Sequence, residues 1–294
     1  VESGPSIPCK PVTEKYQELL DVHYYDKPNS GPGQTRNYGA ERSKGEYLII
    51  LDSDCILPEG YFLAVEEELQ HEAADAFGGP DRAHESFTDI QKAINYSMTS
   101  FFTTGGIRGG KKKMDKFYPR SFNMGVRREV YQALGGFSRM RFGEDIDFSI
   151  RIFKGGYTCR LFPGAWVYHK RRTDFRKFFK QVHNSGIARI DLYKKYPESL
   201  KLVHLLPAVF TVGVVLVLLA AFICPWSLLL LALFAVIIFI DASIRNKSIK
   251  IGALSVIAAF IQLTGYGSGF LRAWWKRCIC GGKSFSAFEK TFYK

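Results

Sequence analysis

Gly45 to Phe62 reads GEYLIILDSDCILPEGYF. The apolar run Tyr47 to Leu51 leads straight into two carboxylates one residue apart, Asp52 and Asp54. Such an uninterrupted run of strand length fits a strand covered on both faces, as in a parallel sheet with helices on each side. Open α/β sheets bind their ligands outside the carboxyl ends of their strands, where these two acids fall.

The flanking sequence repeats this alternation. Upstream, VTEKYQELL has helical spacing, VHYYDK reads as a strand, and PNSGPGQTRNYGAERSKG opens with a Gly-Pro-Asn turn into a short helix. Downstream, Pro58 is placed to start a helix over EGYFLAVEEELQHE. DAFGGP, SFNMGV, TCRLFP and AWVYHK read as strands; DIQKAINYSMTSFF, RREVYQALGG and DIDFSIRIFKGG read as helices. The pattern is α/β, without internal repeats or low-complexity segments.

An Asp-x-Asp after a strand has three chemical readings. A calcium loop needs an oxygen ligand, a glycine and a glutamate at its fifth, sixth and twelfth positions, where this chain has Ile56, Leu57 and Leu63. A phosphatase of the haloacid-dehalogenase type would use Asp52 as nucleophile, but Ile56 replaces its usual threonine. In the third reading the pair holds a divalent cation under the two phosphates of a sugar nucleotide, because a hard cation takes carboxylate oxygens and neutralises a departing diphosphate. That reading also needs a base for the acceptor hydroxyl. FGEDIDFSIR supplies candidates, with Glu144, Asp145 and Asp147 at a helix start, where the dipole favours ionised acids. Helix capping is the alternative use of the same three.

GPGQTRNYGAERSKGEYLIILDSDCILPEGY, SFNMGVRREVYQALGGFSRMRFGEDIDFSIRI and VYHKRRTDFRKFFKQVHNSGIAR resemble successive blocks of the family 2 glycosyltransferases over most of Val1 to Arg189. The resemblance implies a GT-A fold, a Rossmann-like nucleotide-diphospho-sugar transferase domain, here in a membrane-anchored, bacterial-type member. It implies inverting transfer of one sugar from a nucleotide-diphosphate donor, with Mg2+ or Mn2+. By position, Asp54 matches the direct metal ligand and Asp52 lies nearer the ribose and phosphates, with Arg36 on the nucleotide. Asp145 matches the catalytic base, with Glu144 and Asp147 orienting it or meeting the acceptor. His169 falls where some members place a third metal ligand. Gln181 lies near a processive acceptor motif that QVHNSG departs from, and Asn123 is placed to bond a sugar hydroxyl. The family's first strand has no counterpart, and ESGP stands where an acidic Asp-Gly-Ser block belongs, leaving Glu2 as a nucleotide contact. An altered boundary or a fragment is the expectation, since a missing central strand leaves sheet edges uncovered. A non-catalytic nucleotide-binding relative is the other alternative.

The C-terminal third has a different solvent. LLPAVFTVGVVLVLLAAFIC, WSLLLLALFAVIIFI and IGALSVIAAFIQLTGYGSGFL lie between Leu205 and Leu271, near the length that crosses a bilayer. The expected organisation is a catalytic domain over 1–173, an amphipathic juxtamembrane region over 174–203, two to three membrane helices over 204–271 and a basic tail over 272–294. From Lys201 onward ten Lys and Arg face only Asp241 and Glu289, so +8 of the net +12 sits beside the apolar segments. That points to a membrane surface rather than nucleic acid. The juxtamembrane helix can lie in the interface or pack on the domain. Six scattered cysteines fit a reducing compartment, and Cys278 with Cys280 is a weak metal pair.

The expected setting is the cell inner membrane, multi-pass, with the catalytic domain cytoplasmic and a lipid-linked or glycan acceptor. Three crossings would put the basic tail outside, so a re-entrant or interfacial path is slightly preferred for the third segment, whose Gln262, Thr264, Tyr266, Ser268 and three glycines make it the most polar. GGIRGGKKK is a basic loop able to close on a diphosphate or simply solvated.

Overall fold

The computed structural model describes residues 1–4, 7–104 and 117–282. The GGIRGGKKK loop and the last residues of the basic tail lie outside them. The N-terminal part holds β1 (Glu2–Ser3), α1 (Lys10–Glu14) and β2 (Asp26–Lys27), with β1 and β2 pairing in parallel. Helix and strand are both shorter here than the residue pattern predicts: turns follow Glu14, and His23 to Tyr25 lie outside any strand. Then follow α2 (Pro32–Ala40), β3 (Tyr47–Leu51), β4 (Cys55–Ile56), α3 (Tyr61–His71), β5 (Ala76–Gly78), β6 (Asp81–Arg82), α4 (Asp89–Thr99), α5 (Phe101–Thr104), β7 (Asn123–Arg127) and α6 (Arg128–Ala133). Helix α7 (Glu144–Lys154) precedes β8 (Cys159–Leu161), β9 (Val167–His169) and the long α8 (Phe175–Lys195).

The main sheet has the order β3-β7-β5-β8. It is mixed rather than parallel: β7 runs antiparallel to both β3 and β5, and only β5 and β8 are parallel. An apolar run reports burial on both faces, which is present, but carries no information on strand direction. Leu48 and Ile50 pack toward α6 and α7 with Met124, Val126, Phe137 and Phe148. Tyr47, Ile49 and Leu51 turn the other way, toward Tyr61 and Val65 of α3 with Phe77 and Phe162. The period of two along β3 therefore joins two cores. A small second sheet, β4-β9-β6, sits beyond the carboxyl end of β3 and carries His169.

Three further α-helices follow among the described residues: α9 (Leu206–Ala220), α10 (Leu228–Asn246) and α11 (Ile249–Trp274). Three helical stretches, Leu202–Ala220, Pro225–Asn246 and Ile249–Ile279, are long and apolar enough to span a membrane. The third holds one direction throughout, so the re-entrant path is not formed. Its glycines are packing points instead. A Cβ on Gly265 would meet Val182 of α8 at 2.5 Å, one on Gly267 the carbonyl of Pro207 at 2.3 Å, and one on Gly269 the carbonyl of His183 at 2.0 Å. The juxtamembrane helix α8 buries Phe178 and Val182 against α4 and α11, Ile187 and Ile190 against α9 and α11, and Leu192 against Ile150 of α7.

Candidate active site

Asp52 closes β3, and its carbonyl accepts from the Cys55 amide at 3.0 Å, turning the chain into β4. This turn sets Asp52 and Asp54 at different partners. Asp52 Oδ1 accepts from Arg36 Nη2 at 2.8 Å, while the same guanidinium gives Nη1 to Glu144 Oε1, also at 2.8 Å. Arg36 thus ties the end of β3 to the start of α7.

Its helix is held for this. Asn37 donates to the Phe137 carbonyl and accepts from the Phe137 amide and the Tyr131 hydroxyl. Gly33 lets α2 approach closely, since a Cβ there would sit 3.0 Å from the Ser138 carbonyl.

Asp54 faces a second group. His169 Nε2 lies 3.4 Å from Asp54 Oδ1, and its Nδ1 lies 3.9 Å from Asp81. Cys55 pairs with His169 across β4 and β9, and ligand atoms of Asp54, Cys55 and His169 all lie within 4.8 Å of one another. The Phe122 ring stacks on the imidazole at 4.8 Å. His169 Nδ1 is buried without a hydrogen-bond partner. One carboxylate oxygen and one ring nitrogen at this spacing suit a divalent cation, with the Cys55 sulfur beside them, whereas Asp52 is engaged by Arg36. The His169 imidazole holds the Asp54 carboxyl below its ordinary value against partial burial. Burial, reinforced by the charges of Asp54 and Asp52, pushes the Cys55 thiol up to about 12, so it carries its proton at neutral pH.

The third group lies at the start of α7, which Gly143 opens from the left-handed region at φ 81°. Asp145 Oδ2 accepts from Arg120 Nε at 2.6 Å, and its Oδ1 accepts from the Ile146 amide at 2.8 Å. Burial would raise this carboxyl, but the Arg120 guanidinium outweighs it and keeps Asp145 below the usual carboxylate range. Glu144 beside it goes the other way: burial, then the Asp145 charge, lift it to about 7 despite Arg36.

The remaining predicted residues are placed differently. Asp147 is fully buried and accepts from Arg151, Lys195 and Tyr196, joining α7 to the end of α8. Asn123 is also buried, accepting from the Tyr61 hydroxyl and donating to the Ala165 carbonyl. Gln181, on α8, accepts from Arg172, which precedes that helix. Glu2 accepts from the Cys9 amide and the Tyr24 hydroxyl, within the N-terminal piece. Arg120, Cys55 and Asp81 are the residues that sequence reasoning did not single out. Only the reading of SFNMGV as a strand, with Asn123 placed to bond a sugar hydroxyl, came near Arg120.

Residues 5–135 match glycosyl transferase family 2. The chain is 27% identical over 176 residues to a probable glycosyltransferase, YdaM, of Bacillus subtilis, covering 58% of this chain and 41% of that protein. It is 27% identical over 156 residues to the succinoglycan biosynthesis protein ExoM of Rhizobium meliloti, covering 51% of this chain and 48% of the relative. It therefore spans less than half the length of these curated relatives. Among solved structures, the mannosyltransferase PcManGT from Pyrobaculum calidifontis, in complex with GDP-Man and Mn2+, superposes with a TM-score of 0.61 at 15% identity, over 92% of this chain and 75% of that one. That likeness is one of fold, and the fold is GT-A.

Proposed function

From the premise that the chain belongs, by its residues 5–135, to glycosyl transferase family 2, we propose that it is an inverting, metal-dependent glycosyltransferase. It moves a sugar from a nucleotide-diphosphate donor to a membrane-associated glycan or lipid-linked acceptor, working from the cytoplasmic face of the inner membrane. The observation that carries this is the double engagement of Arg36. One guanidinium spans Asp52 on the donor side and Glu144 on the acceptor side, so the two acidic groups share one cleft. The similarity to a succinoglycan biosynthesis protein supports a surface polysaccharide as the product.

Asp54 and His169 would hold the cation, with Cys55 beside them and Asp52 directed at the donor with Arg36. A bound divalent ion would offset the charge that gathers on the leaving diphosphate. Asp145 is the general base. Arg120 keeps it ionised and aims its carboxylate, which makes it a weak base in isolation. A weak base suffices here, because the acceptor hydroxyl becomes acidic as its oxygen bonds to the anomeric carbon. Glu144 and Arg36 orient this pair, while Asn123 and Asp147 fix the strand and helix that carry it.

The test is Asp145→Asn in membranes supplied with labelled sugar nucleotides. Transfer should fall by about 10²–10⁴-fold while metal-dependent nucleotide binding persists. Full transfer by Asp145→Asn would overturn the assignment; phosphate release abolished by Asp52→Asn would point to a hydrolase instead.

A further inference from the structure

We propose that the chain crosses the bilayer twice, through the α9–α10 hairpin alone, and that α11 lies flat against the catalytic domain at the membrane surface. This rests on the membrane anchorage in the function proposed above, and deepens it by assigning each apolar helix its place relative to the lipid.

The first observation is that both ends of α11 are fastened to the same domain. At its start, Lys250 pairs with Asp89 of α4 at 2.8 Å, and Ile251 packs with Ala93, Ile94 and Phe178. Beyond its end, Arg277 pairs with Asp191 of α8, and Lys194 donates to the Arg277 carbonyl at 3.2 Å. A helix of 26 residues is about 39 Å long, more than the roughly 30 Å of a hydrocarbon core. A spanning helix would separate its ends by the bilayer, yet here both reach helices of one globular domain.

Between the ends, α11 follows α8 in register. Gly265 meets Val182, Gly269 meets His183, Gly186 meets Tyr266 and Phe270, and Ala273 packs with Ile190. The two helices therefore share one depth throughout. α8 carries Arg176, Lys177, Lys180, Arg189, Lys194 and Lys195, a charge load that does not cross hydrocarbon. α8 is also bound into the domain, through Lys195 and Tyr196 on Asp147 and Leu192 beside Ile150. α4 is bound in likewise: Gln91 donates to the Arg171 carbonyl, and Asn95 accepts from the Arg171 guanidinium.

The hairpin behaves in the opposite way. The first turns of α9, and α10 from Phe234 onward, pack on α11, as with Pro207 against Gly267, Phe210 and Phe234 against Phe260, and Ser243 against Gly252. Leu216, Leu219, Phe222, Ile223, Trp226 and Leu230 beyond that base are all more than half exposed. Apolar surface on this scale needs a bilayer, and two antiparallel helices of 15 and 19 residues with their flanking turns can reach through one. Two crossings also keep Arg245, Lys247, Lys250 and the basic residues after α11 on the catalytic side, where anionic lipid attracts them.

Native cysteines provide the test. Cys9 lies in the catalytic domain, Cys224 at the hairpin tip and Cys280 beyond α11, and all three are exposed. Full-length chains keeping one of them, with the other five replaced by Ser, are treated in sealed vesicles of either orientation with a membrane-impermeant maleimide. Cys9 and Cys280 should react from one face and Cys224 from the other. Cys280 reacting from the face of Cys224, or from neither, overturns the proposal. On the chain with all its cysteines, epitopes at the two termini should bind antibody on the same face; opposite faces give the same refutation without depending on the serine replacements. Neither assay reads sugar transfer, so an inactive chain with these labels sinks the proposed function alone.

Discussion

Glu144 stands between two opposite charges, Asp145 as its neighbour and the Arg36 guanidinium, and burial lifts its carboxyl from 4.5 to about 7. A raised carboxyl has a definite sign in stability. The folded chain keeps this proton between pH 4.5 and 7, where the unfolded chain has lost it, so the favourable contribution is complete in acid and disappears as pH rises through 7. At pH 8 Glu144 then costs at most about 3 kcal/mol. Glu144→Gln should match the parent near pH 5 and exceed it at pH 8, by unfolding midpoints in detergent; an identical deficit at both would refute the shift. At this scale Asp52, Asp54 and Asp145 could be singled out because each sits in a short acidic pattern with its own chemistry, and Arg36 through the family resemblance alone. Arg120 and Cys55 were not. Arg120 meets Asp145 only through folding, 25 positions apart. Cys55 reaches His169 only through strand pairing.

Among the elements, the contact of α8 with α11 depends on missing side chains. A Cβ at Gly186 would lie 2.1 Å from the Tyr266 carbonyl, a backbone atom that cannot yield without moving the helix. Gly186→Ala should therefore cost about 1–3 kcal/mol of stability. Gly213→Ala on α9 has nothing within 4 Å and should be neutral or gain up to about 1 kcal/mol. Thermal midpoints of the two variants should separate accordingly. Helix and strand positions were mostly readable from periodicity, and β3 was readable as a strand buried on both faces. Its antiparallel partner was not, since β7 arrives 72 positions later and burial is blind to direction. The glycines of α11 misled for a related reason: polarity and small size suit a broken segment in lipid, and equally a continuous helix pressed against neighbours.

Across the whole molecule, the apolar hairpin is held to the rest at its base, where Ile238 and Ala242 pack with Tyr96 and Ala259, and its far half, from Leu216 to Leu230, stands exposed. An arginine at Val215, exposed midway along the first span, should cost about 2.5–3.5 kcal/mol on insertion and lower the fraction that resists carbonate extraction. The same change at Leu202, at the start of that span, should leave extraction unaltered. Sequence alone set the third apolar segment apart by its polar residues and glycines, but left open whether it spans, re-enters or lies in the interface, because hydropathy records what a helix can tolerate and not which neighbour claims it. The position of α11 has a further consequence, for how the protein is made. Its berth between α4 and α8 is complete well before α11 leaves the ribosome, since more than fifty residues, the hairpin included, are translated in between. The nascent chain must keep that greasy trough vacant, and shielded from wrong occupants, until α11 arrives to fill it.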